Sequence, residues 1–152
     1  MSIIAKYVHT NLIAEDWRAL ASFYQDVFGC IPVPPERDFR GEVLEAGTGI
    51  PGAHLCGIHL RLPGYANEGP TLEVFSYMPQ EVRTSKAVNR PGFAHIAFQV
   101  EDVSKAKALV LAAGGKSAGE VVTLTITGGA NFTWCYLTDP EGNLIELQSW
   151  DN

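Results

Sequence analysis

The chain contains two copies of one sequence pattern, and this duplication restricts its fold more than any other feature. A single offset relates three pairs of segments: Tyr7-Val8-His9 and Phe93-Ala94-His95, Glu15-Asp16 and Glu101-Asp102, and Gly29 and Gly115. In each copy, alternating apolar residues, an acidic pair, apolar residues at helical spacing and a glycine follow one another. This is the order of strand, helix N-cap, helix and C-cap. We therefore expect a duplicated supersecondary unit.

The far ends of the copies repeat as well. Gly69 precedes Glu73 at the same spacing as Gly142 precedes Glu146, and a serine and an aromatic residue then follow in both copies. The first copy is longer between its histidine and its glutamate. The excess falls in residues 32–52, which are rich in proline, glycine and charge, so we predict an irregular loop there.

The local signals predict an α+β fold. The first helix is expected to start at Asp16 and stop at Gly29, and the second to start at Asp102 or Ser104 and stop at Gly114-Gly115. Further strands are expected at residues 42–45, 53–62, 71–77, 119–127, 131–138 and 144–149, with a hairpin turn at residues 139–142. We interpret residues 1–152 as one domain of two tandem βαβββ modules, about 3–88 and 91–151, with a boundary near residues 89–92.

Each copy directs one histidine and one glutamate away from the predicted core. This follows from strand alternation at His9, Glu73, His95 and Glu146, because the neighbours of both glutamates are apolar. A carboxylate on a hydrophobic strand is costly to bury unless a partner or a metal compensates it. Two imidazoles and two carboxylates suit a divalent Zn, Ni, Co, Mn or Fe ion. Taken singly, each residue could also be a core histidine or a solvent-facing glutamate.

Other polar residues are candidates for a substrate pocket: Asn11, Tyr77, Gln99, His59 and Arg61. The first three are chosen by strand parity alone. His59 and Arg61 share a strand face and could bind an anionic group, although an exposed polar face explains them equally well. His54 and His59 are an odd number of positions apart, so they should point to opposite faces and cannot both join one site.

Composition excludes several classes of function. The 152 residues carry a net charge of −6 without a basic block, so the electrostatic footprint of a nucleic-acid-binding protein is missing and a small-molecule partner is favoured. The N-terminal residues lack a signal-peptide pattern and no apolar run reaches membrane-span length, so a cytoplasmic protein is expected. Cys30, Cys56 and Cys135 are interpreted as reduced, buried thiols.

Three segments carry a resemblance to a known family: residues 23–29 (FYQDVFG), 91–98 (PGFAHIAF) and 137–147 (LTDPEGNLIEL), together with His9. With these segments the chain resembles the vicinal oxygen chelate superfamily, which includes glyoxalases, bleomycin-resistance proteins and extradiol dioxygenases. The resemblance implies paired βαβββ modules whose mixed sheets curl around a metal, commonly in a homodimer.

Within that superfamily, the four candidate ligands look most like those of bacterial glyoxalase I. The resemblance implies a metal-dependent isomerase, epimerase or lyase that acts through an enediolate on a small substrate with neighbouring oxygens. Glu146 or Glu73 would be the catalytic base, and we favour Glu146. Ile13 and Tyr77 stand where that family usually has the arginine and asparagine that hold glutathione. The activity is therefore not expected to depend strictly on glutathione.

Two alternatives remain open from the sequence. A small-molecule binding or antibiotic-resistance protein would use Trp134, Tyr77 and Phe39 as an apolar pocket. An Fe(II) extradiol-type dioxygenase would need only His9, His95 and Glu146, and the additional carboxylate disfavours this reading.

Overall fold

A computed structural model describes residues 2–151 and separates the chain into two compact units, Met1–Val82 and Arg83–Asn152. The first contains β1 (His9–Ile13), α1 (Trp17–Phe28), β2 (Ile31–Arg40), α2 (Glu42–Thr48), β3 (His54–Arg61) and β4 (Thr71–Met78). The second contains β5 (His95–Gln99), α3 (Val103–Ala112), β6 (Lys116–Ser117), β7 (Val122–Thr125), β8 (Asn131–Thr138) and β9 (Leu144–Asp151). The predicted α+β class is confirmed.

The first unit is a four-stranded mixed sheet in the order β1-β4-β3-β2. β1 runs parallel to β4, and the other neighbouring strands are antiparallel. Helix α1 packs against β3 and β4, and the side chains of Leu20, Tyr24, Leu60, Leu72 and Val74 are almost completely buried. Removing this apolar surface from water is the main stabilising contribution to the unit.

The predicted ends of α1 are confirmed. Asp16 Oδ1 accepts hydrogen bonds from the backbone N–H groups of Arg18 and Ala19, which would otherwise lack intrahelical partners. Gly29 ends the helix in the left-handed conformation, at a φ of 67°, and its N–H donates to the carbonyl of Gln25.

The predicted ends of α3 are confirmed, and the structure decides between the two candidate N-caps. Asp102 is the N-cap, because its side chain accepts from the backbone N–H of Lys105. Ser104 lies inside the helix. The C-cap is Ala113, and the predicted stop follows at Gly114, which has a φ of 95°.

The prediction of an irregular loop over residues 32–52 is wrong, because this segment contains most of β2 and all of α2. β2 is an edge strand that pairs only with β3. Pro32, Pro34 and Pro35 can lie in it because no second strand pairs with its other side. Its register with β3 shifts between Val33 and Arg37.

The strand predicted at residues 42–45 is also wrong, because these residues begin α2. Their sequence, Glu-Val-Leu-Glu, is mostly made of good helix formers, and the helix ends at Gly49 in the left-handed conformation. In the second unit, only Val122–Thr125 forms a strand within the predicted range of 119–127.

The second unit is built around a sheet in the order β5-β9-β8-β6, with β7 also paired to β8. β5 runs parallel to β9, as β1 does to β4. The predicted hairpin turn before β9 is present and is held by the buried Asp139. Its Oδ1 accepts from the backbone N–H groups of Glu141 and Asn143, and its Oδ2 accepts from the amide of Asn143. These bonds fix the start of β9, the strand that carries Glu146.

In residues 2–151, no helix is both long enough and apolar enough to span a membrane. All three cysteines are free thiols. Cys30 and Cys135 are buried as expected, whereas Cys56 is partly exposed, and its register partner on the edge strand is the exposed Asp38.

Candidate functional site

In the first unit, the candidate residues meet on one face of the sheet. Strand register places Glu73 on β4 directly between Asn11 of β1 and His59 of β3. His9 lies two residues before Asn11 and therefore points to the same face. Glu73 is only 9% exposed. A carboxylate this deeply buried needs compensating partners.

Three side chains approach the two carboxylate oxygens of Glu73. His9 Nε2 lies 3.4 Å from Oε2, and the side-chain amide of Asn11 donates to the same oxygen at 3.1 Å. His59 Nε2 lies 3.0 Å from the other oxygen, Oε1. The first unit therefore holds Glu73 from both sides, with an imidazole on each.

The His59 imidazole is held in an environment that favours its neutral form. Burial is the largest influence on its pKa and lowers it, although the negative charge of Glu73 acts in the opposite direction. The ring packs edge-on against Phe75 at a centroid distance of 5.5 Å, and Nδ1 lies 3.5 Å from the hydroxyl of Thr71. A neutral imidazole can donate one hydrogen bond and use its other nitrogen as a metal ligand or acceptor.

In the second unit, His95 and Glu146 form an equivalent pair. They lie on the neighbouring parallel strands β5 and β9, and His95 Nε2 is 3.1 Å from Glu146 Oε2. The Glu146 side chain is 12% exposed, the same value as that of Glu73. The duplicated strands therefore position one imidazole nitrogen against one largely buried carboxylate in each unit.

Tyr136 completes this second pair. Register places it directly opposite Glu146 on β8, and its ring lies 5.1 Å from that of His95. Burial raises the pKa of the Tyr136 hydroxyl, and the charge of Glu146 and a hydrogen bond to it raise the pKa further. The hydroxyl therefore stays protonated and donates to the carboxylate.

An aromatic row continues from Tyr136 along the same face of β8. Trp134 packs edge-on against Tyr136 at 4.9 Å, and Phe132 stacks on Trp134 at 6.3 Å and packs at a tilt against Trp150 at 4.5 Å. The indole Nε1 of Trp134 is buried and has no hydrogen-bond partner among the described residues. An unpaired buried donor carries an energetic cost, so this nitrogen is a natural contact for a bound molecule.

The spacing within both pairs fits metal ligation. Two ligand atoms that each lie about 2.0–2.2 Å from one first-row ion are separated by roughly 3.0–3.5 Å in octahedral or tetrahedral geometry. The observed nitrogen–oxygen separations are 3.4 Å for His9 and Glu73 and 3.1 Å for His95 and Glu146. Within each unit, the imidazole and the carboxylate could therefore bind the same ion with little side-chain movement. The donor set of nitrogen and carboxylate oxygen suits Zn, Ni, Co, Mn or Fe(II).

The remaining pocket candidates share strand faces with members of these pairs or with His59. Tyr77 shares the face of Glu73, and register continues from it through Leu55 to Phe39 as an apolar row. Arg61 shares the face of His59, but its side chain makes no hydrogen bond or ion pair with the described residues. Gln99 shares the face of His95 at the exposed end of β5.

Sequence reasoning missed the contacts that Tyr136 makes. Tyr136, Trp134 and Phe132 alternate along β8, which indicates a shared face but does not say which residues lie opposite. The missing information was the register of β8 with β9. The tight turn at Asp139 could have supplied it, because a hairpin of known length fixes which residues pair.

Comparisons with known proteins identify the fold. The chain is similar to a glyoxalase family protein from Bacillus cereus, with a TM-score of 0.77 and 19% identity, over 100% of this chain and 97% of that one. A structure from the mobile metagenome of V. Pseudocholerae has a TM-score of 0.58 and 25% identity, over 100% and 99%. The fosfomycin resistance protein FosX from Listeria monocytogenes has a TM-score of 0.60 and 16% identity, over 97% and 94%.

No curated protein matches the chain in sequence. The sequence profile of one family, however, extends over residues 6–147, which is nearly the whole chain. The resemblance expected from the three sequence segments is thereby confirmed. The chain belongs to the Glyoxalase/Bleomycin resistance protein/Dioxygenase superfamily.

Proposed function

We propose that the chain is a metal-dependent enzyme of the glyoxalase type, an isomerase, epimerase or lyase, whose metal ligands are His9, Glu73, His95 and Glu146. The observation that carries this proposal is the repeated pairing of an imidazole Nε2 with a carboxylate whose side chain is only 12% exposed. Each unit retains this costly arrangement at the equivalent strand position. Binding of a divalent cation would offset the burial of such a negative charge.

When bound, a divalent ion would act as a Lewis acid and polarise a substrate carbonyl. The protein side chains would then move a proton at the neighbouring carbon. We assign this role to Glu146, which contacts His95 and the Tyr136 hydroxyl, because Glu73 is held on both oxygens by three side chains. The Tyr136 hydroxyl would orient the Glu146 carboxylate.

The substrate is proposed to be a small molecule with neighbouring oxygens, and glutathione is not required. The exposed side chain at position 13 is isoleucine, which cannot pair with a glutathione carboxylate. Arg61 is a partly exposed cation without an ion-pair partner among the described residues, on the same face as His59. It would bind an anionic group of the substrate through a charge-assisted hydrogen bond.

Metal analysis of protein purified without chelator tests the first part of the proposal. Wild type should carry Zn, Ni, Co, Mn or Fe, and His9→Ala and Glu146→Gln should each contain less metal per chain than wild type. Glu120→Gln is a matched control, because Glu120 is exposed. Equal occupancy in all four proteins, or no metal in wild type after reconstitution, would contradict the ligand assignment.

Substrate assays test the second part. Loss of methylglyoxal and of other α-oxoaldehydes and 2-oxo esters should be measured with glutathione, with other thiols and with no thiol. Turnover that survives without glutathione and disappears in Glu146→Gln is the expected result. Uptake of oxygen with a catechol panel would instead indicate an Fe(II) dioxygenase, and a strict requirement for glutathione would contradict the assigned substrate class.

A second function is favoured by the aromatic row on β8. The buried, unpaired Nε1 of Trp134 and the adjoining rings could hold a planar molecule without turnover, as in a small-molecule binding or resistance protein. Quenching of tryptophan fluorescence by a panel of planar antibiotics should then saturate in metal-free protein. Binding that survives chelation and Glu146→Gln would support this function over catalysis.

We further propose that the protein is a homodimer in the cytoplasm, as the superfamily resemblance implies. Large apolar side chains such as Ile4 and Phe93 are fully exposed in the single chain, which is costly unless another surface covers them. Sedimentation equilibrium should give twice the 16.5 kDa mass of one chain. Fractionation of the native cells tests the location.

A further inference from the structure

A second group of metal-ligating side chains lies on the hairpin of β2 and β3, at the edge of the first unit. Asp38 is the register partner of Cys56, and Arg40 is the partner of His54. Because residues two apart on a strand share a face, all four side chains project from the same side of the ribbon. Three of the four, Asp38, His54 and Cys56, have the oxygen, nitrogen and sulfur donors that bind metal ions.

The three donor atoms lie close together. His54 Nε2 is 2.7 Å from Asp38 Oδ1 and 3.2 Å from Cys56 Sγ, and all three atoms lie within 4.8 Å of one another. Thiolate sulfur and imidazole nitrogen bound to one zinc ion, at about 2.3 Å and 2.0–2.1 Å, are separated by roughly 3.1–3.6 Å. The observed spacing therefore needs only a small adjustment to close around an ion.

This cluster is independent of the Glu73 group. His59 points to the Glu73 face of β3, and His54 and Cys56 lie at odd separations from it, so they point to the opposite face. The expectation that His54 and His59 cannot join one site agrees with the contacts that each of them makes. Cys56 is partly exposed, and the side chains of His54 and Asp38 are 28% and 61% exposed, so an ion can reach all three from solvent.

We propose that Asp38, His54 and Cys56 form a second, solvent-accessible site for a borderline-soft divalent metal ion of the zinc class. Thiolate selects such ions over magnesium and calcium, and imidazole is a common partner for it. Three protein ligands leave a fourth position open to water or to another ligand. This site does not depend on the proposed function, because it shares no residue with the proposed ligands His9, Glu73, His95 and Glu146.

The guanidinium group of Arg40 contacts two of the three proposed ligands. One of its guanidinium nitrogens lies 3.2 Å from Asp38 Oδ1 and 3.2 Å from His54 Nε2. The Arg40 side chain is 67% exposed, so it can turn into solvent when an ion arrives. Arg40 therefore competes with the metal, and its removal should strengthen binding.

Titration of the full chain with Co²⁺ tests the proposal, because a cobalt–thiolate bond gives a charge-transfer band in the near ultraviolet that histidine and carboxylate ligands do not give. Wild type should show this band, and Cys56→Ser and His54→Ala should abolish it. Arg40→Met should shift its midpoint to several-fold lower Co²⁺. The band should persist in Cys30→Ala, a control for the other thiols, and in Glu146→Gln, which affects only the proposed catalytic group.

Zn²⁺ protection of Cys56 from alkylation gives a second measurement that needs no variant. The modified cysteine is located by mass spectrometry, and Cys30 and Cys135 are buried internal references. Zn²⁺ should slow the labelling of Cys56 at least several-fold. Absence of the cobalt band from wild type, its persistence in Cys56→Ser or His54→Ala, or unchanged labelling with Zn²⁺ would overturn the proposal. If His9, Glu73, His95 and Glu146 bound no metal, the cobalt–thiolate band and the labelling of Cys56 would not change.

Discussion

His59 Nε2 lies 3.0 Å from Glu73 Oε1, on the carboxylate oxygen opposite to the one that His9 approaches. Glu73 therefore has an imidazole on each side, although the duplicated sequence pattern points to only one. In the second unit the corresponding carboxylate, Glu146, is approached by one imidazole and by the hydroxyl of Tyr136. The two halves of the duplication have thus diverged at the second contact of each carboxylate.

Replacement of His59 by alanine should weaken metal binding without abolishing it. His59 orients Glu73, and loss of a group that orients a ligand typically reduces metal affinity roughly 10- to 100-fold. His9→Ala should have a larger effect, because it removes a proposed ligand. Isothermal titration with Zn²⁺ measures both variants, each in a Cys56→Ser background so that the proposed second site does not contribute. Arg61→Ala is the control, since Arg61 shares the strand face of His59 but makes no ion pair with the described residues, and an equal loss in that variant would contradict the assigned role.

Replacement of Tyr136 by phenylalanine should lower kcat while leaving KM almost unchanged. The change removes one hydrogen bond to a carboxylate, worth about 1.5–3 kcal/mol, so a reduction of roughly 10- to 100-fold is expected. The substrate assay proposed above for wild type would give both constants. Tyr65→Phe, at a tyrosine that is 60% exposed, should be indistinguishable from wild type. A change confined to KM would instead place Tyr136 in substrate binding.

Gly57 should not tolerate a larger side chain. A Cβ atom at this position would overlap Cδ1 of Phe75 and the carbonyl oxygen of Val74. Phe75 also packs against His59, so the displacement would reach the Glu73 group. We expect Gly57→Ala to lower the free energy of unfolding by about 1–3 kcal/mol, measured by urea denaturation. Gly47→Ala is matched to it, because a Cβ there meets nothing within 4 Å, and it should be neutral or stabilising.

The stability of the protein should fall at alkaline pH partly because of Cys30. Burial raises the pKa of this thiol from 9.0 to about 11. Below pH 9 the thiol is protonated in both states. Between pH 9 and 11 only the unfolded chain releases the proton, so folding loses roughly 1–3 kcal/mol across that window. Urea denaturation of wild type and Cys30→Ala from pH 8 to 11 should show a shallower decline in the variant, and parallel declines would contradict this assignment.

The sequence predicted the parts of the fold that depend on local chemistry. The duplication, the caps at Asp16 and Asp102, the stop at Gly29 and the turn at Asp139 all follow from short-range patterns. Local patterns could not predict β2, because proline normally argues against a strand. Its acceptance there depends on the strand being at the edge of the sheet, which is a property of the tertiary arrangement.

The candidate site was predictable to a similar extent. The alternation of side chains along a strand indicated which sheet face His9, Glu73, His95 and Glu146 occupy. In the structure His9 lies beside Glu73, and His95 lies beside Glu146. Contacts that depend on strand register, such as Tyr136 with Glu146, could not be derived from parity. The Asp38 group was hidden for a further reason, since residue 38 lies in a segment that was expected to be irregular.

The three prolines of β2 have a consequence for the behaviour of the protein at high concentration. An edge strand normally offers unpaired N–H and C=O groups on which a strand of another molecule can add. Pro32, Pro34 and Pro35 have no N–H group to donate, and the register shift between Val33 and Arg37 is an irregularity of the kind that increases local twist. The edge is thereby a poor template for fibrillar growth, and replacing these prolines with valine would create a chain prone to aggregate through this strand.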